Sequence, residues 1–252
     1  MSADDKNNNR SYLYGDGLFE TVRVEEGRAL FLEHHRQRFK RSASALEFPR
    51  TSIEAGLRAL DSLSEREDGL WRVTVPRPNQ DSQESAERII TTGHRKFPYQ
   101  EAGPPRLKVV HDFYFPEYEL AEHKTTSWLR SLEARRLARR SGFDEALMAS
   151  PNGRLGEAAA ANIFLYIAGR WVTPPVEGIL PGVVRQVLLE RAAEAGVGID
   201  VQPVFVADLE LCEALVLTST GRLVTAAATV DALELELEPA EKLKVLLKET
   251  PK

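Results

Sequence analysis

The sequence predicts an α+β chain of two mixed domains. Strand-like alternating runs and runs of helical period occur together in both halves, and this mixture fits two α+β domains better than one doubly wound sheet. Between the halves the stretch GHRKFPYQEAGPPR, 93–106, concentrates glycine and proline between two strand-like runs. The expected division is an N-terminal domain 1–97, a linker 98–106 and a C-terminal domain 107–252.

In chain order, Leu18 to Val24 alternates as a strand, Glu25-Glu26-Gly27 turns the chain, and Ala29 to Phe31 begins a return strand. Helices are expected from Glu33 to Leu46, ending before Pro49, and from Thr51 to Leu63, where Ile53, Leu57 and Leu60 recur at helical spacing. Trp71 to Val75 and Arg88 to Thr92 read as strands around the polar loop 76–87. The second half opens with a strand at Leu107 to Val110. A long helix from Ser127 to Ser141 and a strand at Glu145 to Ala149 follow, and Pro151-Asn152-Gly153 turns the chain. Asn162 to Ile167 and Arg170 to Thr173 form a hairpin. Gly178 to Gly182 leads into a helix carrying Val183, Val184, Val187 and Leu188. Strands at Ala214 to Thr218 and Leu223 to Val230 and a terminal helix over Pro239 to Leu247 complete the pattern.

Composition narrows the chemistry. Across 252 residues, 33 Lys+Arg face 38 Asp+Glu, so the net charge of −5 supplies no overall basic field to concentrate a nucleic acid. The basic cluster Arg135, Arg136, Arg139 and Arg140 lacks the stacking aromatics of a strand-binding surface and reads as a solvated or inter-subunit face. No run approaches the roughly 20 apolar residues that cross a bilayer. The polar, acidic start MSADDKNNNR is unlike a secretory leader, so a cytoplasmic protein is expected. Cys212 is alone, which excludes an internal disulfide and a multi-thiolate zinc site. Neighbouring His34 and His35 cannot share a metal from one helix, where ligand pairs use i,i+4 spacing, and read as surface or capping histidines; no metal site is expected. The GDG at 15–17 precedes a strand and lacks the third glycine of a dinucleotide fingerprint, Lys124-Thr125 has no glycine loop before it, and neither GxSxG nor HExxH occurs.

Lys124 stands out. Of nine lysines it alone lies between Lys108 and Lys242, just before a helix, with Thr125, Thr126 and Ser127 beside it and apolar Trp128 and Leu129 behind. Read by its own segment, a solvated lysine at a helix start is the commoner case, and a desolvated amine nucleophile or base is the alternative. The wider pattern bears on that choice. YGDGLFETVRV (14–24), HxxRF with the residues after it (35–45), HKTTSWL (123–129), GRLGEAAAANIF (153–164), GILPGVVR (178–185) and LTST (217–220) resemble, in order and spacing, the class IV aminotransferase family, the fold-type-IV pyridoxal-phosphate enzymes. Relative to that family, most of the first strand and turn before the GDG segment is missing.

The resemblance implies the D-amino-acid-aminotransferase-like architecture of two α/β-mixed domains, pyridoxal 5'-phosphate as cofactor and a homodimer. It implies roles that the side chains suit chemically. Lys124, in the C-terminal domain as divided above, matches the Schiff-base lysine that also shuttles protons. Glu157, 33 residues on, matches the carboxylate that keeps the pyridine nitrogen protonated. Arg38 matches the phosphate-binding arginine, whose alternative is an exposed helix residue. Gly182, Val183 and Val184 open a helix toward the same phosphate; many relatives carry a hydroxyl where Val184 stands, so Ser219 and Thr220 would supply more of the hydroxyl contacts. Branched-chain members usually show GxxxFEG and a tyrosine five residues after the lysine, whereas this chain has GDGLFET and Leu129. That pattern looks more like a lyase that converts 4-amino-4-deoxychorismate to 4-aminobenzoate and pyruvate for folate synthesis, or like D-amino-acid transaminase, which shares the GDG, and the compact length of 252 residues leans to the lyase as the implied activity. The alternative is a transaminase for D-amino acids or branched-chain amino acids. Arg72 and Arg77 are the candidate partners for the carboxylate of a small amino-carboxylate substrate; a surface salt bridge is an equally good reading of Arg77.

Overall fold

A computed structural model describes residues 10–78, 91–95 and 103–248. The chain is α+β and divides into two compact units, Met1–Pro98 with His123–Trp128, and Tyr99–Glu122 with Leu129–Lys252. Helices in chain order are α1 (Arg10–Tyr14), α2 (Leu32–Ala45), α3 (Arg50–Asp61), α4 (Leu129–Arg140), α5 (Val183–Glu194) and α6 (Ala240–Lys248). The strands are β1 (Gly17–Glu25), β2 (Arg28–Ala29), β3 (Gly69–Pro76), β4 (Thr91–Arg95), β5 (Arg106–Val110), β6 (Glu145–Ala149), β7 (Arg154–Ala158), β8 (Asn162–Ile167), β9 (Arg170–Thr173), β10 (Ile199–Val201), β11 (Val204–Phe205), β12 (Cys212–Ser219), β13 (Leu223–Ala226), β14 (Thr229–Val230) and β15 (Leu233–Glu234).

The first unit holds one sheet in the order β2-β1-β3-β4. Period-two alternation puts Leu18, Val22 and Val24 of β1 and Trp71, Val73 and Val75 of β3 in one core with Phe39 and Ala43 of α2 and Leu60 at the end of α3. The alternation has one polar intruder, since Glu20 occupies a core-facing position of β1 and is buried. Pairing with β2 involves only Val24 and Glu25, which leaves the other half of β1's edge bare. Residues 124–126 cover it: Phe19 N–H donates to Lys124 O (2.9 Å), Thr126 N–H donates to Gly17 O (2.8 Å), and Leu18 bridges Thr125. This pairing corrects the expected division of the chain. Lys124 was assigned to the C-terminal domain, but an uncovered sheet edge draws its segment into the first unit.

In the second unit a six-stranded sheet, β11-β7-β6-β5-β14-β15, and a five-stranded sheet, β10-β9-β8-β12-β13, share an apolar core. Leu107, Val109, Leu147 and Leu155 come from the first, and Ile163, Leu165, Leu215 and Leu217 from the second. The opposite face of the five-stranded sheet receives Val183, Val184, Val187 and Leu188 of α5, all buried, together with α6.

Most expected elements form within a residue or two. The helix predicted from Ser127 begins at Leu129, because Ser127 packs against the backbone of Gly15 and the Trp128 ring meets Phe19 edge-on at 5.7 Å. The expected single strand Leu223 to Val230 is two strands in different sheets, with Ala227 and Ala228 crossing between them. Of the expected loop 76–87, Pro76 belongs to β3 and 79–87 lies outside the described residues, as do residues 88–90 of the expected strand and 98–102 of the expected linker.

Candidate active site

The Lys124 side chain rests against two aromatic rings. Its Nζ is 4.4 Å from the Phe19 ring centre and 5.4 Å from that of Trp128. Phe19 belongs to the face of β1 opposite the core, because it alternates with Leu18 and Glu20. Arg72 of β3 is on that face too, its guanidinium carbon 3.7 Å from the same ring centre and its Nε donating to Thr74 Oγ1 at 3.1 Å. Phe19 is thus the common neighbour of two cations, a lysine and an arginine, held by a ring that offers its electron-rich face.

Arg77 is engaged elsewhere. Its Nε donates to Asp16 Oδ1 (3.0 Å), its other nitrogens donate to Glu47 O (3.2 Å) and Leu46 O (2.7 Å), and its guanidinium covers Phe48. It ties the end of β3 to the end of α2, and of its two readings the geometry favours the salt bridge over the substrate partner.

Under the sheet, α2 presents His35, Arg38 and Ser42 along its buried face at helical spacing. Arg38 donates from Nε to Glu20 Oε1 (2.9 Å) and from its terminal nitrogen to Glu20 Oε2 (2.5 Å). His35 Nδ1 meets the same carboxylate at 2.8 Å, and Ser42 Oγ meets His123 Nδ1 at 3.1 Å, one residue before Lys124. Neither His35 nor Arg38 is a surface residue. The expectation of a surface or capping His35 is corrected, because the carboxylate of Glu20 inside the core requires donors. Burial would raise the Glu20 pKa, but the Arg38 charge and the hydrogen bonds from His35 and Arg38 prevail and lower it from 4.5 to about 2. Burial lowers His35 below its ordinary 6.5 against the opposing pull of Glu20. The ring is therefore neutral, donating from Nδ1, with its buried Nε2 lacking a partner among the described residues.

A pH dependence of stability follows. Both groups bind protons less well folded than unfolded, so their contribution is complete above pH 6.5. It begins to fall as pH drops below that value and falls further from 4.5 toward about 2. Urea midpoints should decline between about pH 6.5 and 5 in the wild type, and a His35→Asn variant should lose that part of the decline. Identical pH profiles for the two proteins would refute the assignment.

The second unit positions Glu157 on β7. Its Oε1 accepts from Leu180 N–H (3.3 Å) and its Oε2 from Asn162 Nδ2 (3.1 Å). The turn after Leu180 leads to α5, whose N-cap Gly182 offers no side-chain acceptor, so the first-turn N–H groups of Val183 and Val184 have no intrahelical partner. A Cβ on Gly182 would stand 2.0 Å from Asn162 Oδ1, which is why a glycine opens this helix. One turn in, the buried Arg185 donates to Thr173 Oγ1 (3.3 Å) and Pro174 O (2.9 Å). Burial lowers its pKa to about 10 against the opposing field of Glu157. At the end of β12, Ser219 Oγ accepts from Arg222 N–H at 3.3 Å, and Thr220 follows in the turn.

Two residues here were missed from sequence. Asn162 begins a strand of apolar residues, and a buried amide in such a run is the signal that could have drawn notice. Thr218 pairs directly opposite Asn162, so both side chains leave the same face of the sheet, and the Thr218 hydroxyl is buried without a partner among the described residues. The basic cluster on α4 is partly structural as well: Arg135 donates from Nε (3.0 Å) and from its terminal nitrogen (2.5 Å) to the buried Glu145.

Comparison with known proteins assigns this arrangement in two steps. The architecture is that of the fold-type-IV pyridoxal-phosphate enzymes. A 4-amino-4-deoxychorismate lyase from Pseudomonas aeruginosa superposes with a TM-score of 0.79 at 24% identity, covering 98% of this chain and 94% of its own. A branched-chain aminotransferase from Thermoproteus uzoniensis gives 0.79 at 23% identity, covering 95% and 88%. Residues 17–230 match the model of the amino-transferase class IV family, and the chain belongs to that family. Among relatives, the bifunctional aminodeoxychorismate lyase / D-amino acid transaminase of Mycobacterium tuberculosis is 25% identical over 249 residues, 89% of this chain and 85% of that protein. Class IV aminotransferases use pyridoxal phosphate. Taken unit by unit, the residues present are of the kinds that group needs: in the first unit a lysine against aromatic rings, and in the second a carboxylate anchored by two donors, a helix start without a side-chain cap, and the buried hydroxyl of Thr218, which has no partner among the described residues.

Proposed function

We propose that this enzyme eliminates pyruvate from 4-amino-4-deoxychorismate to leave 4-aminobenzoate. In this reading Lys124 and Glu157 hold the cofactor's aldehyde carbon and ring nitrogen. Arg38, Gly182, Val183, Val184, Ser219 and Thr220 serve its phosphate. When bound, pyridoxal phosphate supplies an electron sink for the carbon that bears the substrate amine. Lys124 Nζ takes the proton from that carbon and returns one to the departing enol, while the bond from the neighbouring ring carbon to the enolpyruvyl oxygen breaks. The two products account for every atom of the substrate, and no oxidant or second substrate is consumed. Arg72 holds a substrate carboxylate, and the observation that carries the reading is its place on the Phe19 ring that also contacts Lys124. Leu129, where branched-chain members usually carry tyrosine, supports the lyase over branched-chain transamination. A cytoplasmic homodimer serving folate synthesis belongs to the same reading.

The purified enzyme with pyridoxal phosphate should release pyruvate and 4-aminobenzoate in equal amounts with no keto acid added. D-amino-acid transamination is the second reading, supported by the paired activities in the name of the Mycobacterium tuberculosis relative. Activity that requires a keto-acid acceptor, with no 4-aminobenzoate formed, would replace the first reading with the second.

A further inference from the structure

Asn162 is the first residue of β8, is only 3% exposed, and makes two hydrogen bonds from its side-chain amide nitrogen. Nδ2 donates both to Glu157 Oε2 at 3.1 Å and to Leu180 O at 2.8 Å, while Leu180 N–H donates back to Glu157 Oε1 at 3.3 Å. These three bonds close a ring through the carboxylate, the amide and the peptide of Leu180. On its other side Asn162 Oδ1 packs against Gly182, so closely that a Cβ there would stand 2.0 Å from it and one of the two would have to move. The backbone of Asn162 is itself held in the sheet by pairing with Thr218 of β12. The rigid sheet, the carboxylate and the turn that opens α5 therefore meet at one side chain.

We propose that Asn162 is a positioning residue that locks the Glu157 carboxylate to the start of α5 at a set spacing. The proposal rests on the assignment of Glu157 to the cofactor ring nitrogen and of the α5 start to its phosphate. A cofactor gripped at both ends binds tightly only if the two grips stay at the distance its own rigid ring imposes, because any play between them is lost again as entropy on binding. Aspartate is the informative replacement. It has the same shape, but as a carboxylate it repels Glu157 and donates to neither partner, whereas its protonated form regains one donor.

The test uses apoprotein titrated with pyridoxal phosphate, with binding read by fluorescence and turnover measured in parallel, on Asn162→Ala, Glu157→Gln, the double variant and Asn162→Asp. Asn162→Ala should weaken binding by about 10–100-fold, the range for a lost hydrogen bond to a charged group. In the Glu157→Gln background the same substitution should cost much less, because its partner charge has already gone. For Asn162→Asp, the ratio of its dissociation constant to that of the wild type should fall as pH is lowered from about 8 to 6, a recovery that Asn162→Ala cannot show. A purely structural asparagine would give effects that multiply in the double variant and no pH-dependent recovery, and either result overturns the proposal. If Asn162→Ala does not fold, the pH dependence of Asn162→Asp decides alone. Wild-type binding and turnover in Glu157→Gln would overturn the assignment of Glu157 and this proposal with it. An impaired Glu157→Gln with multiplying effects would overturn the positioning role only.

Discussion

Lys124→Ala is expected to reduce turnover by at least about 10⁴-fold, the upper end of what one positioned acid–base group contributes, and to abolish the visible absorbance that pyridoxal phosphate acquires on the protein. Stability should change little. The side chain contributes a cation–π contact worth about 0.5–1 kcal/mol in a half-exposed setting. The segment is held on β1 through main-chain bonds, Phe19 N–H to Lys124 O and Thr126 N–H to Gly17 O, which alanine leaves intact. A thermal midpoint within a few degrees of wild type is therefore expected together with the lost activity. Wild-type absorbance in the variant would remove the lysine from its role, and unfolding would show that the segment depends on more than these bonds.

Glu157→Gln is expected to retain cofactor binding, weakened, and to lose about 10²–10³-fold in turnover, the usual cost of removing one preorganised electrostatic partner. The amide oxygen can still accept a hydrogen bond from Leu180 or Asn162. It cannot hold a proton on the ring nitrogen by charge, and it withdraws the anion whose field favours the charged form of buried Arg185. Steady-state rates beside a binding titration separate these effects. Weak binding with undiminished turnover at saturation would mean that the carboxylate only anchors the cofactor, without serving its chemistry.

Much of the fold was legible because its signals are local. The alternation of Leu18, Val22 and Val24, the helical spacing of Ile53, Leu57 and Leu60, and the glycine before Val183 each act within one element, and each element forms close to its expected limits. Glu20 was legible in principle, as a carboxylate at a core position of an alternating strand. Its partners were not, since His35 and Arg38 meet it only when α2 packs beneath β1. Arg72 and Arg77 show the limit plainly. Both belong to the same short segment and both are candidates from sequence, Arg77 with a surface salt bridge as its equally good alternative; one rests on the ring that contacts Lys124 and the other is engaged by Asp16, Leu46 and Glu47.

By itself the sequence determined the α+β class, the place of most elements, the family to which the chain belongs and its candidate residues, because periodicity and motif spacing are written along the chain. Tertiary structure alone decided that the Lys124 segment completes the edge of β1, that Arg77 serves the scaffold, and that Asn162 and Thr218 stand side by side. These outcomes join residues about thirty or more positions apart. They are selected by the need to satisfy every buried donor and acceptor and to cover exposed strand edges, requirements that become definite only once the chain has packed.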